Sequence, residues 1–324
     1  MDRGHSLGAL YSTGHSTWPG GRLRFAAVLC GLLVTCAAAR ADISIAGDRL
    51  AIRTENIRVV MRGGEIVEIS NRLTGEHVST GMGRLAPLTA VLRLGGRAAS
   101  VRYDGWRAAH EDEARRQAAQ TVLRDGSATV WLNVSVDEAT QDVVIACWGE
   151  SLDPGLRGLQ LGVRSLDLTR GRLVVPTHSG YEYTMATPET SRALAYPREW
   201  VAQMLVWQCP EGGMVIYSRD DEKRFKRLHL YRRGERLDLG LGTEAEAPWA
   251  KQTSIPYVEW RFNAYKGDWR VAAQGYRALL GHLRPRAAPT EAQLWVGQIE
   301  VVETVSAQTR RSDLERIAKK RAPA

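Results

Sequence analysis

Two segments of the chain gather side chains that could do chemistry. The first, VVPTHSGYEYTMATPETSRALAYPREW from Val174 to Trp200, sets His178, Tyr181, Glu182, Tyr183, Tyr196, Arg198, Glu199 and Trp200 among Gly and Pro residues, with little alternation. Long connections inside a compact domain are often functional. Aromatic rings beside planar hydrogen-bonding groups suit a sugar, whose apolar face stacks while its hydroxyls need partners. Trp200, Tyr181 and His178 lead that reading, and His178 with Glu182 or Glu199 would be the acid and base of an autonomous mutarotase- or lyase-type enzyme. The competing expectation is a long connection whose aromatics staple it to the fold. The second segment, SRDDEKRFKRL from Ser218, brings Asp220, Asp221, Glu222, Lys223 and Lys226 together after an expected hairpin turn at Gly212-Gly213. Neighbouring carboxylates on a strand point to opposite faces, which is poor geometry for an acid/base pair. A charged loop following a strand is the plainer account.

Other chemistries find little footing. His77, His110, His178, His229 and His282 fall at no metal-ligand spacing, so neither a metal nor a cofactor is expected. Elbow-type serine hydrolase, P-loop and dinucleotide fingerprints are all missing. Lys and Arg number 44 against 36 Asp and Glu, yet the excess sits at the ends: residues 42–304 balance to about +1. That near-neutral body argues against phosphate-backbone binding and hence against a nucleic-acid partner. Cys147 and Cys209 each close an apolar run and could form a disulfide or stay as buried thiols. Asn133-Val134-Ser135 has the form of a glycosylation sequon but falls mid-strand, and Trp106, Trp131, Trp148 and Trp207 are expected in the core.

The elements that must position these residues are mostly strands. Arg22 to Arg24 and the apolar run Phe25 to Ala39, followed by Ala39-Arg40-Ala41, form a secretory signal cut before Asp42. The run is shorter than the roughly 20 residues of a spanning helix, so no membrane span should remain after cleavage. Strand follows short strand from Asp42 to about Trp260, with turn signals at Thr74-Gly75, Asp125-Gly126 and Glu138 to Gln141. Roughly fifteen strands exceed the needs of an immunoglobulin-sized sandwich, so the expected fold is mostly β, a large two-sheet supersandwich. Residues 107–120 read as a short exposed helix or a loop. Asp268 caps a helix whose Trp269, Ala272, Tyr276 and Leu279 share the face that packs on the sandwich, with Gly281 as its expected terminator. A linker from Arg284, a buried strand LWVGQIEVVETV and a capping box Ser312 to Glu315 complete the pattern. Glu300 and Glu303 flank the end of that strand, where solvent-facing roles are expected for them.

Five segments in order, EIVEISNRLTGE, MLVWQCPEGGMVIYSRDDEKRFKRL, YKGDWRVAAQGYR, LWVGQIEVV and SDLERIAKK, are similar to the landmarks of a glycoside-hydrolase-like family of the DUF6259 type. The resemblance spans residues 43–324. It implies the architecture of clan-D α-galactosidases and endo-α-N-acetylgalactosaminidases, a galactose-mutarotase-like supersandwich preceding a TIM barrel. It further implies action on α-linked glycans by a carboxylate pair on later barrel strands, and it sets the Asp220 to Lys226 loop on the sandwich side facing the barrel, open to sugar or interdomain contacts. Such a barrel needs roughly 250 residues, and only 30 remain from Trp295.

The expected organisation is therefore a signal peptide over 1–41, a supersandwich over 42–265, a packing helix and linker over 266–290, and the start of an incomplete (β/α)8 barrel over 291–324. The function expected of this chain is that of a non-catalytic, carbohydrate-associated module of an exported protein, periplasmic or extracellular, inactive alone. The substrate-binding residues expected are His178, Tyr181, Glu199, Trp200, Asp220 and Lys226, and no catalytic residue is assigned. A further alternative is an envelope protein that binds a partner through the exposed strand at Trp295. N-terminal sequencing of the exported protein should begin Asp42-Ile43-Ser44; a mature protein that keeps the run from Phe25 would contradict the signal assignment.

Overall fold

The computed structural model describes residues 41–81, 90–93, 99–100, 102–109, 118–189, 191–220 and 224–283. The signal segment, the linker after Leu283, the LWVGQIEVVETV strand with Glu300 and Glu303, the final capping box and the edge at Trp295 lie outside them. Alternation of side chains across each strand builds two sheets, antiparallel except for one parallel bridge at Val163 and Ile66. Among the described residues the first sheet has eleven strands. Its main path runs Asp42–Ala46, Arg49–Arg53, Ile57–Arg62, Glu65–Asn71, His77–Thr80, Leu156–Asp167, Arg236–Glu244, Lys226–Arg233 and Ser191–Tyr196. The second has ten, ordered Tyr181–Tyr183, Arg172–Val175, Met204–Gln208, Gly212–Ser218, Ser254–Lys266, Asp142–Ser151, Ala128–Asp137, Ala118–Asp125 and Arg102–Tyr103, with Arg107–Ala108 beside Ala118–Asp125. The expected two-sheet sandwich is the fold observed.

Inner faces meet in one apolar core that includes Ile52, Leu132, Ile145, Val163, Trp207 and Phe262. Trp106 and Trp207 join it, as the sequence suggests. Trp131 and Trp148 do not: on Ala128–Asp137 and Asp142–Ser151 the inward positions are Val130, Leu132, Ile145 and Cys147, so alternation turns both indoles to the outer face, where they are half-buried. Cys147 and Cys209 are buried free thiols. Burial pushes both up to about 12, which keeps them protonated and inert.

One helix, α1 (Trp269–Leu283), covers part of the second sheet's outer face. The Asp268 carboxylate accepts the Arg270 N–H at 3.0 Å, capping the first turn. Ala272 and Tyr276 pack with Met204, Val206, Val215, Tyr217 and Tyr265, and Trp269 and Leu279 lie against that cluster. The helix continues through Gly281 to Leu283, because glycine permits a left-handed terminator without imposing one. No helix among the described residues is long and apolar enough to cross a membrane.

Two other expectations shift. Residues 107–109 and 118–120 are extended, with strands at Arg107–Ala108 and from Ala118, rather than a helix running through both; residues 110–117 lie outside the described set. Gly212 and Gly213 open a strand, and the turn falls at Pro210 and Glu211. The glycines are needed for close approach: a Cβ on Gly213 would lie 2.0 Å from the Trp207 carbonyl oxygen, and one on Gly212 would lie 2.3 Å from that of Tyr265. Nearby, the buried Asn71 amide donates to the carbonyls of Gly213 at 3.0 Å and Tyr265 at 2.8 Å, pinning the first sheet to the second. Gly213→Ala should lower stability by about 3 kcal/mol or more in a chemical-denaturation series. Gly234→Ala, left-handed at φ +56° but in open space, should cost about 1 kcal/mol.

Candidate functional site

The Val174 to Trp200 segment folds as a strap between sheet edges. Tyr181–Tyr183 pairs with Arg172–Val175 on one sheet, and Ser191–Tyr196 pairs with Lys226–Arg233 on the other. Trp200 has no solvent exposure, because its indole N–H donates to the Met204 carbonyl at 2.9 Å and its ring stacks on Trp260 at 6.2 Å. A ring satisfied in this way belongs to the core and presents no face to a ligand. Tyr196 adds an edge-on contact to Trp200 at 6.1 Å. His178, by contrast, is exposed, with Nε2 at 2.8 Å from the Arg198 carbonyl oxygen. Tyr181 is half-buried beneath the Arg192 guanidinium, 4.8 Å from its ring.

Glu199 accepts the Ala195 N–H at 2.9 Å and pairs with Arg198 at 2.9 Å. That backbone N–H first, then the Arg198 charge, hold its carboxyl below the ordinary value, which weakens it as a base. Glu182 pairs with Arg172 at 3.4 Å. Among the described residues no hydrogen bond or ion pair joins His178 to Glu182 or Glu199.

Asp220 and Lys226 do meet, but inside the protein. The Lys226 side chain is fully buried, with Nζ 2.5 Å from an Asp220 carboxylate oxygen and 3.1 Å from the Arg224 carbonyl oxygen. Arg224 donates its guanidinium to Asp220 at 3.0 Å and its backbone N–H at 2.9 Å. Gln203 closes the arrangement by donating to the Asp220 carbonyl at 2.8 Å. Burial lowers the Lys226 ammonium and the Asp220 carboxylate opposes that shift. This is a clamp that ties Asp220 to Arg224 and Lys226, with the Asp220 and Lys226 charges buried and the Arg224 guanidinium partly exposed. Asp221, Glu222 and Lys223 lie outside the described residues.

A cleft of about 380 Å³ lies between α1 and the outer face of the second sheet. Val215, Ala264, Tyr276 and Leu279 form apolar walls, and Asp142, Tyr217, Arg219 and Asn263 supply the polar part. The buried Asp142 carboxylate accepts the Tyr217 hydroxyl, Arg261 at 3.1 Å and Asn263 at 2.8 Å. Arg261, 3% exposed, also donates to Asp137 at 2.8 Å and Glu259 at 3.1 Å. Burial, then the Asp142 charge, raise the Tyr217 hydroxyl above its ordinary value. Burial opposes ionisation of Asp137, yet the Arg261 hydrogen bond and charge hold it below the ordinary range. With Asp142 saturated, the cleft offers donors and apolar surface rather than a free base. Sequence reasoning missed it, although Glu259, Arg261 and Asn263 recur every second residue on one strand and signal a polar outer stripe. Among the described residues no group of three His, Cys, Asp or Glu side chains converges as a metal site.

No family model matches the sequence, and no curated protein does. Similar solved structures include an α-N-acetylgalactosaminidase NagBb of Bifidobacterium bifidum in complex with GalNAc, at TM-score 0.51 and 8% identity over 79% of this chain and 41% of that one. A GH36 α-galactosidase AgaB of Geobacillus stearothermophilus gives TM-score 0.49 and 11% identity over 74% and 43%. The chain thus spans about two fifths of the length of these structures. At such identity the likeness is one of fold alone.

Arg261→Met should destabilise the protein by about 3–5 kcal/mol, because Asp137, Asp142 and Glu259 lose their shared cation. Wild-type Asp137, lowered on folding, contributes stability above its unfolded pKa near 3.8 and loses it as pH falls through the lower folded value. That acid limb should be blunted in Arg261→Met when denaturation midpoints are compared between pH 2 and 5.

Proposed function

We propose that this chain supplies the carbohydrate-associated, non-catalytic supersandwich of an exported glycoside-hydrolase-like protein of the DUF6259 type, acting on α-linked glycans. Residues 1–41 are its signal peptide, 42–265 the sandwich, 266–290 the packing helix and linker, and 291–324 the start of a (β/α)8 barrel. The observation that carries the reading is the fold likeness to the α-N-acetylgalactosaminidase structure, over most of this chain and less than half of that one. The five family-like segments support it in the same order along the sequence.

The sandwich's own acids support the non-catalytic part. A glycosidase needs two carboxyl groups facing each other across the scissile bond. Asp142 and Asp220 instead spend their oxygens on Arg261, Tyr217, Asn263, Lys226 and Arg224 inside the protein. Of the six residues singled out for binding, His178, Tyr181 and Glu199 lie at the strap's surface and stay in the proposal as sugar contacts. Trp200, Asp220 and Lys226 serve by holding the strap and the following turn in place.

The test is to incubate the purified protein with α-galactoside and α-N-acetylgalactosaminide substrates and to measure binding of the matching oligosaccharides by calorimetry. Binding without release of sugar is the expected result. Turnover that follows the protein through purification would contradict the non-catalytic assignment, and lack of binding to either glycan would contradict the α-glycan assignment.

A further inference from the structure

The outer face of the second sheet carries a row of three aromatic rings that none of the roles above uses. Trp131 and Trp148 are paired residue to residue across Ala128–Asp137 and Asp142–Ser151, with ring centres 6.0 Å apart and planes within 10°. Tyr257 on the neighbouring Ser254–Lys266 strand extends the row, its ring 5.7 Å from that of Trp148 and 43% exposed. An irregularity in the ladder sets it there: Cys147 pairs with Val258 and Gly149 with Ile255, so Pro256 and Tyr257 together face Trp148. Extra residues of this kind re-aim a side chain.

The row is held from beneath and framed by polar groups. The Tyr257 hydroxyl donates to Glu259 at 2.8 Å. Its backbone carbonyl accepts from Arg224 at 3.3 Å, the same guanidinium that Asp220 holds at 3.0 Å, which ties the strand at Tyr257 to the clamp. On one side of the row lie Thr129 and Glu150, paired across the strands. On the other lie Asn133, Ala146 and Glu259, aligned across three strands. Asn133 Oδ1 is buried without a hydrogen-bond partner.

We infer that Trp131, Trp148 and Tyr257 form a platform for a short neutral oligosaccharide, a reading that rests on the carbohydrate association proposed above and gives it a surface. The stacked indoles and the tilted Tyr257 ring leave their exposed edges and remaining ring surface to the C–H face of a pyranose ring, and the side-chain acceptors of Thr129 and Glu150 flank the row. A protein partner fits less well, because a specific interface buries about 1,200–2,000 Å² in total and this patch is three side chains wide with polar groups on both sides. A cross-strand aromatic pair also stabilises a sheet. That role alone would leave oligosaccharide affinity untouched by substitution.

The purified protein should be titrated with an α-galactosyl trisaccharide and with a β-1,4-glucan oligosaccharide, following calorimetry and intrinsic tryptophan fluorescence. The expected result is saturable binding of at least one of them, weakened about tenfold or more in Trp148→Ala and in Tyr257→Ala, with Trp148→Phe and Tyr257→Phe retaining most of it. Thermal denaturation run alongside separates lost binding from lost folding, and the ring-retaining variants keep the comparison valid if an alanine variant unfolds. Binding unchanged in folded Trp148→Ala and Tyr257→Ala overturns the platform, as does the absence of binding to both sugars. Row-dependent binding of the β-glucan alone upholds the platform while refuting the α-glycan reading. Binding of the α-galactosyl sugar that ignores the row does the reverse.

Discussion

The described fold depends on the apolar core packed between its two sheets. Inward positions on the long strands are filled by Leu132, Ile145, Val163, Trp260 and Phe262. With a period of two along each strand, every residue not spent on that core must face outward or lie at an edge. Ligand contact is therefore confined to outer faces, connecting straps and sheet ends. The helix α1 occupies one part of an outer face, and the aromatic row occupies another.

The same constraint explains the ionic clusters. Charges taken from water near such a core must be paired and hydrogen-bonded, since losing one partner leaves a buried charge uncompensated. Lys226 meets Asp220, and Arg261 serves Asp137, Asp142 and Glu259 together. These groups resemble catalytic residues in type, and each is held by its ionic partners inside the protein. Arg224 extends one of these clusters outward, linking Asp220 to the backbone of Tyr257.

Fold class was legible from residues because period-two alternation and glycine turns are local signals. The hairpin between Ala128–Asp137 and Asp142–Ser151 turns at Glu138 to Gln141 as expected, and Asp268 caps its helix. Site residues were harder to read because exposure is decided by partners distant in sequence. Trp200 attracts attention in a Gly/Pro-rich strap, yet Met204 and Trp260 bury it. Trp131 and Trp148 resemble core residues in apolar runs, and only the register shows that they stand side by side on the outside. Attention to phase would have found them: both occupy the positions that alternate with Val130, Leu132, Ile145 and Cys147.

Sugar should be met at the surface, with the aromatic row of the outer face among its contacts, and not in the clamp or the core. Indole N–H resonances report it directly, because each tryptophan gives its own signal in a ¹⁵N-edited NMR spectrum. Titration of the labelled protein with the α-galactosyl trisaccharide should shift the signals of Trp131 and Trp148 while those of Trp200, Trp207 and Trp260 stay in place. Shifts confined to the buried indoles, or a spectrum unmoved at saturating sugar, would contradict the account.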